Sequence, residues 1–123
     1  MKIAIDDDNY LVLNPDSCRL TNLNLGGKTV LTQNEEGLGA GSYLMYPWVN
    51  RVEQNPFPIQ SEYKDGNNIP LHGLFVNDKR EIAVKPLSAD SITVEMVPSL
   101  SVEGVPKFKE FYELRRNSLT IRI

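Results

Sequence analysis

Cysteine, histidine and tryptophan occur once each in this chain of 123 residues, as Cys18, His72 and Trp48, and each scarcity excludes some chemistry. A lone cysteine cannot form an internal disulfide and fits a reducing compartment. With one histidine far away in sequence, Cys18 lacks the base that an activated thiol needs, so it reads as a buried, inert thiol. His72 in turn stands without the Cys, His and carboxylate company of a zinc site, and no metal or cofactor is expected. Lysine and arginine are scattered and the formal charge is −3, so the attraction that carries non-specific nucleic-acid binding is missing. No apolar run reaches the length of a membrane span, and Met1–Asp6 turns acidic before a signal-peptide core could form. The chain reads as a soluble cytoplasmic protein with neither nucleic acid nor membrane as partner.

What is present points to strands. Apolar residues make up 41% and charged residues 24% of the chain, the balance of an ordinary globular domain, and this length gives one domain spanning 1–123. Eight prolines and eight glycines punctuate short apolar runs, with no internal repeat, no heptads and no amphipathic helix longer than a turn or two. Ile3–Ile5 and Tyr10–Leu13 read as strands around Asp6–Asn9. That acidic cluster lacks the Gly and Glu positions of a calcium loop and is expected to be a solvated turn. Cys18–Leu25 and Lys28–Thr32 form a hairpin about Gly26-Gly27, although the alternation before the turn is imperfect. In Asn34–Gly41 the glycines fail the context and spacing of a dinucleotide loop, so they read as flexible backbone leading into Tyr43–Tyr46, a short strand stopped by Pro47.

Further strands are expected over Phe57–Tyr63, Ile69–His72 and Arg80–Lys85, the last with Ile82 and Val84 on one face. Pro86–Asp90 reads as a turn. Ser91–Met96 alternates cleanly, with Ile92, Val94 and Met96 inward and Thr93 and Glu95 outward. Phe108, Phe111, Tyr112 and Leu114 lead to Asn117-Ser118 and a last strand carrying Leu119, Ile121 and Ile123 on one face. Strands at this spacing predict an all-β fold, an antiparallel β-sandwich.

The run Leu44-Met-Tyr-Pro-Trp-Val-Asn-Arg-Val52, followed by Phe57, a turn at Lys64-Asp-Gly66 and then Leu71-His-Gly73, resembles the N-terminal part of the aldose 1-epimerases, the galactose mutarotase-like family. The resemblance extends more loosely from about Cys18 to the C-terminus. It implies a β-sandwich of the mutarotase type, an aldose as ligand, and interconversion of its α and β anomers. It further implies that Arg51 binds the sugar and that His72 hydrogen-bonds it near the ring oxygen and anomeric hydroxyl, assisting ring opening.

Residue chemistry alone leaves other accounts open. Arg51 offers a planar fork of donors suited to adjacent hydroxyls, yet an ion pair with Glu53 or Glu62 would explain it better without the resemblance. A lone histidine such as His72 is more often structural. Asn50 can bond a sugar hydroxyl or hold the turn, and Trp48 and Tyr46 are more often core or wall residues than sites.

The chain departs from the family in one respect. Family members are more than twice as long, and their acid–base pair, a second histidine and a late glutamate, has no counterpart position here. The expectation is therefore the N-terminal half of a mutarotase-like fold, supplying sugar-binding residues to a carbohydrate isomerase that is completed by a C-terminal chain. A non-catalytic carbohydrate-binding domain is the alternative, and an interaction module without a sugar site ranks third. A half-fold would leave the inner face of its sheet uncovered and an open edge at the last strand. That predicts association with a complementary C-terminal chain or with a second copy.

Overall fold

The structure, a computed structural model, describes residues 1–14, 16–31, 41–42, 44–46, 73–76, 78–102 and 104–123. Among these residues the fold is all-β: eight strands in two antiparallel sheets of four, and no helix. The first sheet contains β1 (Lys2–Ala4), β2 (Tyr10–Leu13), β3 (Leu20–Leu25) and β4 (Lys28–Thr29); the second contains β5 (Arg80–Ser88), β6 (Ser91–Pro98), β7 (Glu110–Arg115) and β8 (Ser118–Arg122). Each sheet is a meander in which every strand pairs with its neighbours in sequence. No helix among the described residues is long and apolar enough to cross a membrane.

The two sheets share one core. Ile3, Leu11, Leu13, Leu20 and Leu23 from the first pack with Val94, Met96, Tyr112 and Leu114 from the second. Leu11, Leu13, Val94, Met96 and Leu114 are wholly inaccessible to solvent. A buried leucine or methionine contributes about 1.5–3 kcal/mol, so this layer is the main source of stability. Val94 and Met96 are inward as the period-two pattern selects, Ile82, Ile92 and Leu119 extend the layer as partly buried neighbours, and Val84, Ile121 and Ile123, expected on the same faces, are exposed. The sheets thus cover one another's inner faces, where an uncovered face was expected.

Three departures from simple alternation have local causes. Leu13 pairs with Leu20 but Val12 pairs with Asn22, so Thr21 is an extra residue in β3. Such a bulge shifts the face by one residue. It lets Leu20 and Leu23, three apart, both point inward, which accounts for the broken alternation of this stretch. In β5 the strand runs on through Pro86 to Ser88, with Leu87 as the extra residue between Pro86↔Ile92 and Ser88↔Ser91. Pro86 is not the start of the turn, as the sequence suggests, because β5 is a sheet edge, where a missing N–H costs no ladder bond. The turn is Ala89-Asp90 alone. Finally, Tyr43–Tyr46 does not form a continuous strand in its described part: Ser42 bridges Leu20, and Tyr46 bridges Gly73.

Short turns hold the hairpins. Gly26 and Gly27 both have positive φ, 59° and 76°, the combination a two-residue hairpin turn requires and that glycine adopts without strain. A Cβ on Gly26 would also collide with the Asn117 side chain. Asp7 and Asp8 are solvated as expected, but Asn9 is buried. Its Oδ1 accepts from the N–H groups of Gly26 and Asn117, both at 2.9 Å, and its Nδ2 donates to Asp6 Oδ1 at 2.9 Å. One side chain therefore joins the β1–β2, β3–β4 and β7–β8 turns, and with them the two sheets.

Candidate functional site

Beside the main core lies a second, smaller cluster built from non-strand segments. Phe75 and Val102 are its buried members, with Tyr46, Leu74, Leu100, Val105 and Phe108 packed around them. The three rings meet closely: Tyr46 and Phe108 at 4.9 Å between centroids, Phe75 and Phe108 at 4.9 Å edge to face, and Tyr46 and Phe75 at 5.8 Å. Tyr46 is thus a wall residue. Aromatic pairs at these separations add about 0.5–1.5 kcal/mol each beyond burial.

Two arginines grip the segment that carries Phe75. Arg80, the first residue of β5, faces inward where the two clusters meet. Its Nε donates to Glu110 Oε1 at 2.9 Å, its Nη1 to the Asp78 carbonyl at 2.6 Å and to Asp78 Oδ2 at 3.1 Å, and its Nη2 to the Phe75 carbonyl at 3.0 Å. Asp78 also accepts from the Leu100 N–H at 3.2 Å, and Ser99 N–H donates to the Lys79 carbonyl at 2.9 Å. Arg19 is buried as well, although alternation places it outward; its Nε reaches the Val76 carbonyl at 3.5 Å. Burying these charges is tolerable because Arg80 is both paired and hydrogen-bonded. The network therefore reads as a structural clamp, with both carboxylates engaged by donors.

Two titratable groups nearby, Cys18 and Tyr112, are held in their neutral forms. Burial pushes the Cys18 thiol above its ordinary value, and its Sγ donates weakly to the Arg80 carbonyl at 3.9 Å. A buried thiol with a raised pKa is inert, as the sequence suggests. Tyr112 is pushed up further, first by burial and then by the charge of Glu110. No group of three or more histidine, cysteine or carboxylate residues among the described ones is placed to hold a metal ion.

Arg51, His72 and Asn50, the residues expected to contact sugar, lie outside the described residues, as do Trp48 and the expected strands Phe57–Tyr63 and Ile69–His72. The described ends of their two stretches do meet. Tyr46 and Gly73 form a parallel bridge, and Leu74 N–H donates to the Tyr46 carbonyl at 2.9 Å. Gly73 has φ 90°, and a Cβ there would collide with the Tyr46 backbone, so only glycine allows the approach. Gly41 is held in the same way, at φ 70° against the Leu20 backbone. It is a tight contact, where flexible backbone was expected; the rest of that glycine loop lies outside the described residues.

Sequence reasoning missed Arg19, Arg80, Asp78 and Glu110. Arg80 and Asp78 flank a strand start two residues apart, a visible local pair. Nothing local joins Arg80 to Glu110, thirty residues on. Compared with known proteins, the chain matches no family model, no curated protein and no solved structure.

Proposed function

We propose that this chain binds an aldose through Arg51 and His72, with Asn50 beside them, as the N-terminal part of an aldose 1-epimerase-like carbohydrate isomerase. The observation that supports this reading is the contact between Tyr46 and Gly73. Arg51 follows Tyr46 by five residues and His72 directly precedes Gly73, so the two stretches that carry the resemblance are tied at one place. In this reading the two facing sheets are part of a mutarotase-type sandwich, and the protein is cytoplasmic.

Anomer exchange needs a base at the anomeric hydroxyl and an acid at the ring oxygen, with the roles then reversed. His72 supplies one proton-transfer group at most and assists at the ring oxygen. The acid–base pair comes from a complementary C-terminal chain, and the reaction needs neither metal nor cofactor. A second reading, a non-catalytic carbohydrate-binding domain, is favoured by the closed core: the two sheets cover each other's inner faces, so the fold has no evident need of another chain to hold a sugar.

Calorimetric titration with glucose and galactose tests the shared part of both readings. Arg51→Ala is expected to abolish binding, and Arg51→Lys to leave it lost, since an ammonium does not reproduce the planar fork. Wild-type affinity in both variants removes Arg51 from the site. Polarimetry of fresh α-glucose separates the readings. The pure chain is expected at the buffer rate, and catalysis that appears only with a co-purifying chain supports the isomerase. Binding without catalysis in any preparation supports the second reading.

A further inference from the structure

The β5–β6, β7–β8 and β3–β4 hairpins each turn in two residues, whereas β6 and β7 are joined by eleven, Ser99–Lys109. Antiparallel neighbours need no such length, since hairpin loops usually take two to five residues. Leu100, Val102, Val105 and Phe108 of this connection belong to the aromatic cluster, Asp78 holds the Leu100 N–H, and a cleft of about 190 Å³ lies among them. Phe75 and Val102, both buried, form the floor. Pro98, Leu100 and Phe108 line the walls, and Ser101 and Lys107, both exposed, stand on the rim. Depth and polarity run together: the floor is apolar, and among the described lining residues the only charge is the Lys107 cation at the mouth.

We propose that this cleft is a binding site for a small molecule with a single six-membered apolar ring and an anionic group, an aryl carboxylate. Size selects one ring, since an apolar cavity of about 150 Å³ holds a benzene. The walls select its chemistry. Phenylalanine faces and edges, proline rings and branched aliphatic groups reward an apolar ring, and offer no array of partners for the hydroxyls of a sugar. The rim selects the charge. Lys107 makes no ion pair with the described residues, whereas Lys109 is paired with Glu95 at 2.6 Å and Arg80 is held by Glu110, Asp78 and the Phe75 carbonyl. Ser101 adds a hydroxyl on the same rim. The proposal does not rest on the aldose reading.

The test uses phenylacetate, with benzyl alcohol as the uncharged ring and acetate as the ringless anion, followed by calorimetry and by NMR of the aromatic ring protons. Phenylacetate is expected to bind saturably, to shift the Phe75 and Phe108 resonances, and to bind more tightly than benzyl alcohol; acetate is expected not to bind. Lys107→Glu, at an exposed position, should weaken phenylacetate about two- to fivefold, the range of an exposed ion pair, and leave benzyl alcohol unchanged. Val105→Trp should fill the cleft and abolish both. If that variant melts early, Ser101→Trp at the exposed rim serves in its place. Absence of saturable binding, equal binding after the cleft is filled, or insensitivity to Lys107→Glu overturns the proposal. So does displacement of phenylacetate by glucose, which would make the cleft part of a sugar site.

Discussion

The core between the sheets and the aromatic cluster beside it are built on different plans. The first is mostly aliphatic and draws nearly all its side chains from strands, two apart except across the Thr21 bulge, so that each leucine is placed by the ladder it belongs to. The second takes rings at Tyr46, Phe75 and Phe108, none of them within a named strand, and is held in place by a buried arginine. A sheet-built core is redundant, because neighbouring strands support each inward residue. A loop-built cluster rests on a few bonds, here the four made by the Arg80 guanidinium. Placing a candidate ligand cleft over the second cluster puts recognition where the chain has length to vary and leaves the core untouched.

The sharpest way to break this comparison is at the residue the two regions share. Arg80→Ala leaves Asp78 and Glu110 without their buried cation, and loss of one partner of such a pair costs about 3–5 kcal/mol. Denaturant unfolding should show a loss of this size, with hydrogen exchange rising in both regions. A loss below about 1 kcal/mol would mean that the clamp is dispensable. Next in size is Leu114→Ala, a wholly buried position in the main core, with an expected cost of about 2–5 kcal/mol. Here exchange should rise across both sheets. Phe108→Leu keeps an apolar side chain but removes two ring contacts, and about 1–2 kcal/mol is expected. Its exchange signature should stay within residues 73–76 and 99–108; spread into β2 or β6 would show that the two regions unfold as one.

The smallest effect expected is with pH. Tyr112 and Cys18 hold their protons in the folded state beyond their ordinary values near 10.0 and 9.0, while the unfolded chain releases them there. The unfolded state then binds fewer protons, so stability is full below about pH 9 and falls as pH rises further. Thermal melts between pH 7 and 11 should show this decline, and Tyr112→Phe should flatten it. An equal slope in that variant would remove Tyr112 from the alkaline sensitivity.

The sheet edges differ in a related way. β5 carries Pro86 and a bulge, β4 has two residues and β1 three, all devices that discourage strand addition. β8 has neither proline nor bulge, and Ile121 and Ile123 are 44% and 66% exposed. The proposed association with a C-terminal chain or a second copy has its most permissive edge there. Light scattering on a size-exclusion peak checks it, and Ile121→Lys should favour the monomer.

By itself the sequence determined the strands at Tyr10–Leu13, Cys18–Leu25, Arg80–Lys85 and Ser91–Met96 in outline, the Gly26-Gly27 turn and the inward pair Val94 and Met96, because period-two burial and positive φ are settled within a few residues of chain. The third of the chain that carries Arg51 and His72 is legible only through a motif, which names residues without arranging them. Tertiary structure alone decided that Asn9 would bind Gly26 and Asn117, that Thr21 would bulge so Leu20 and Leu23 share a face, and that Arg19 and Arg80 would lie buried. The Asn9 and arginine contacts depend on segments brought together from far apart, and the bulge on the register between two neighbouring strands. A buried arginine is favourable only where carbonyls and carboxylates already converge on it, and that convergence belongs to the folded chain as a whole.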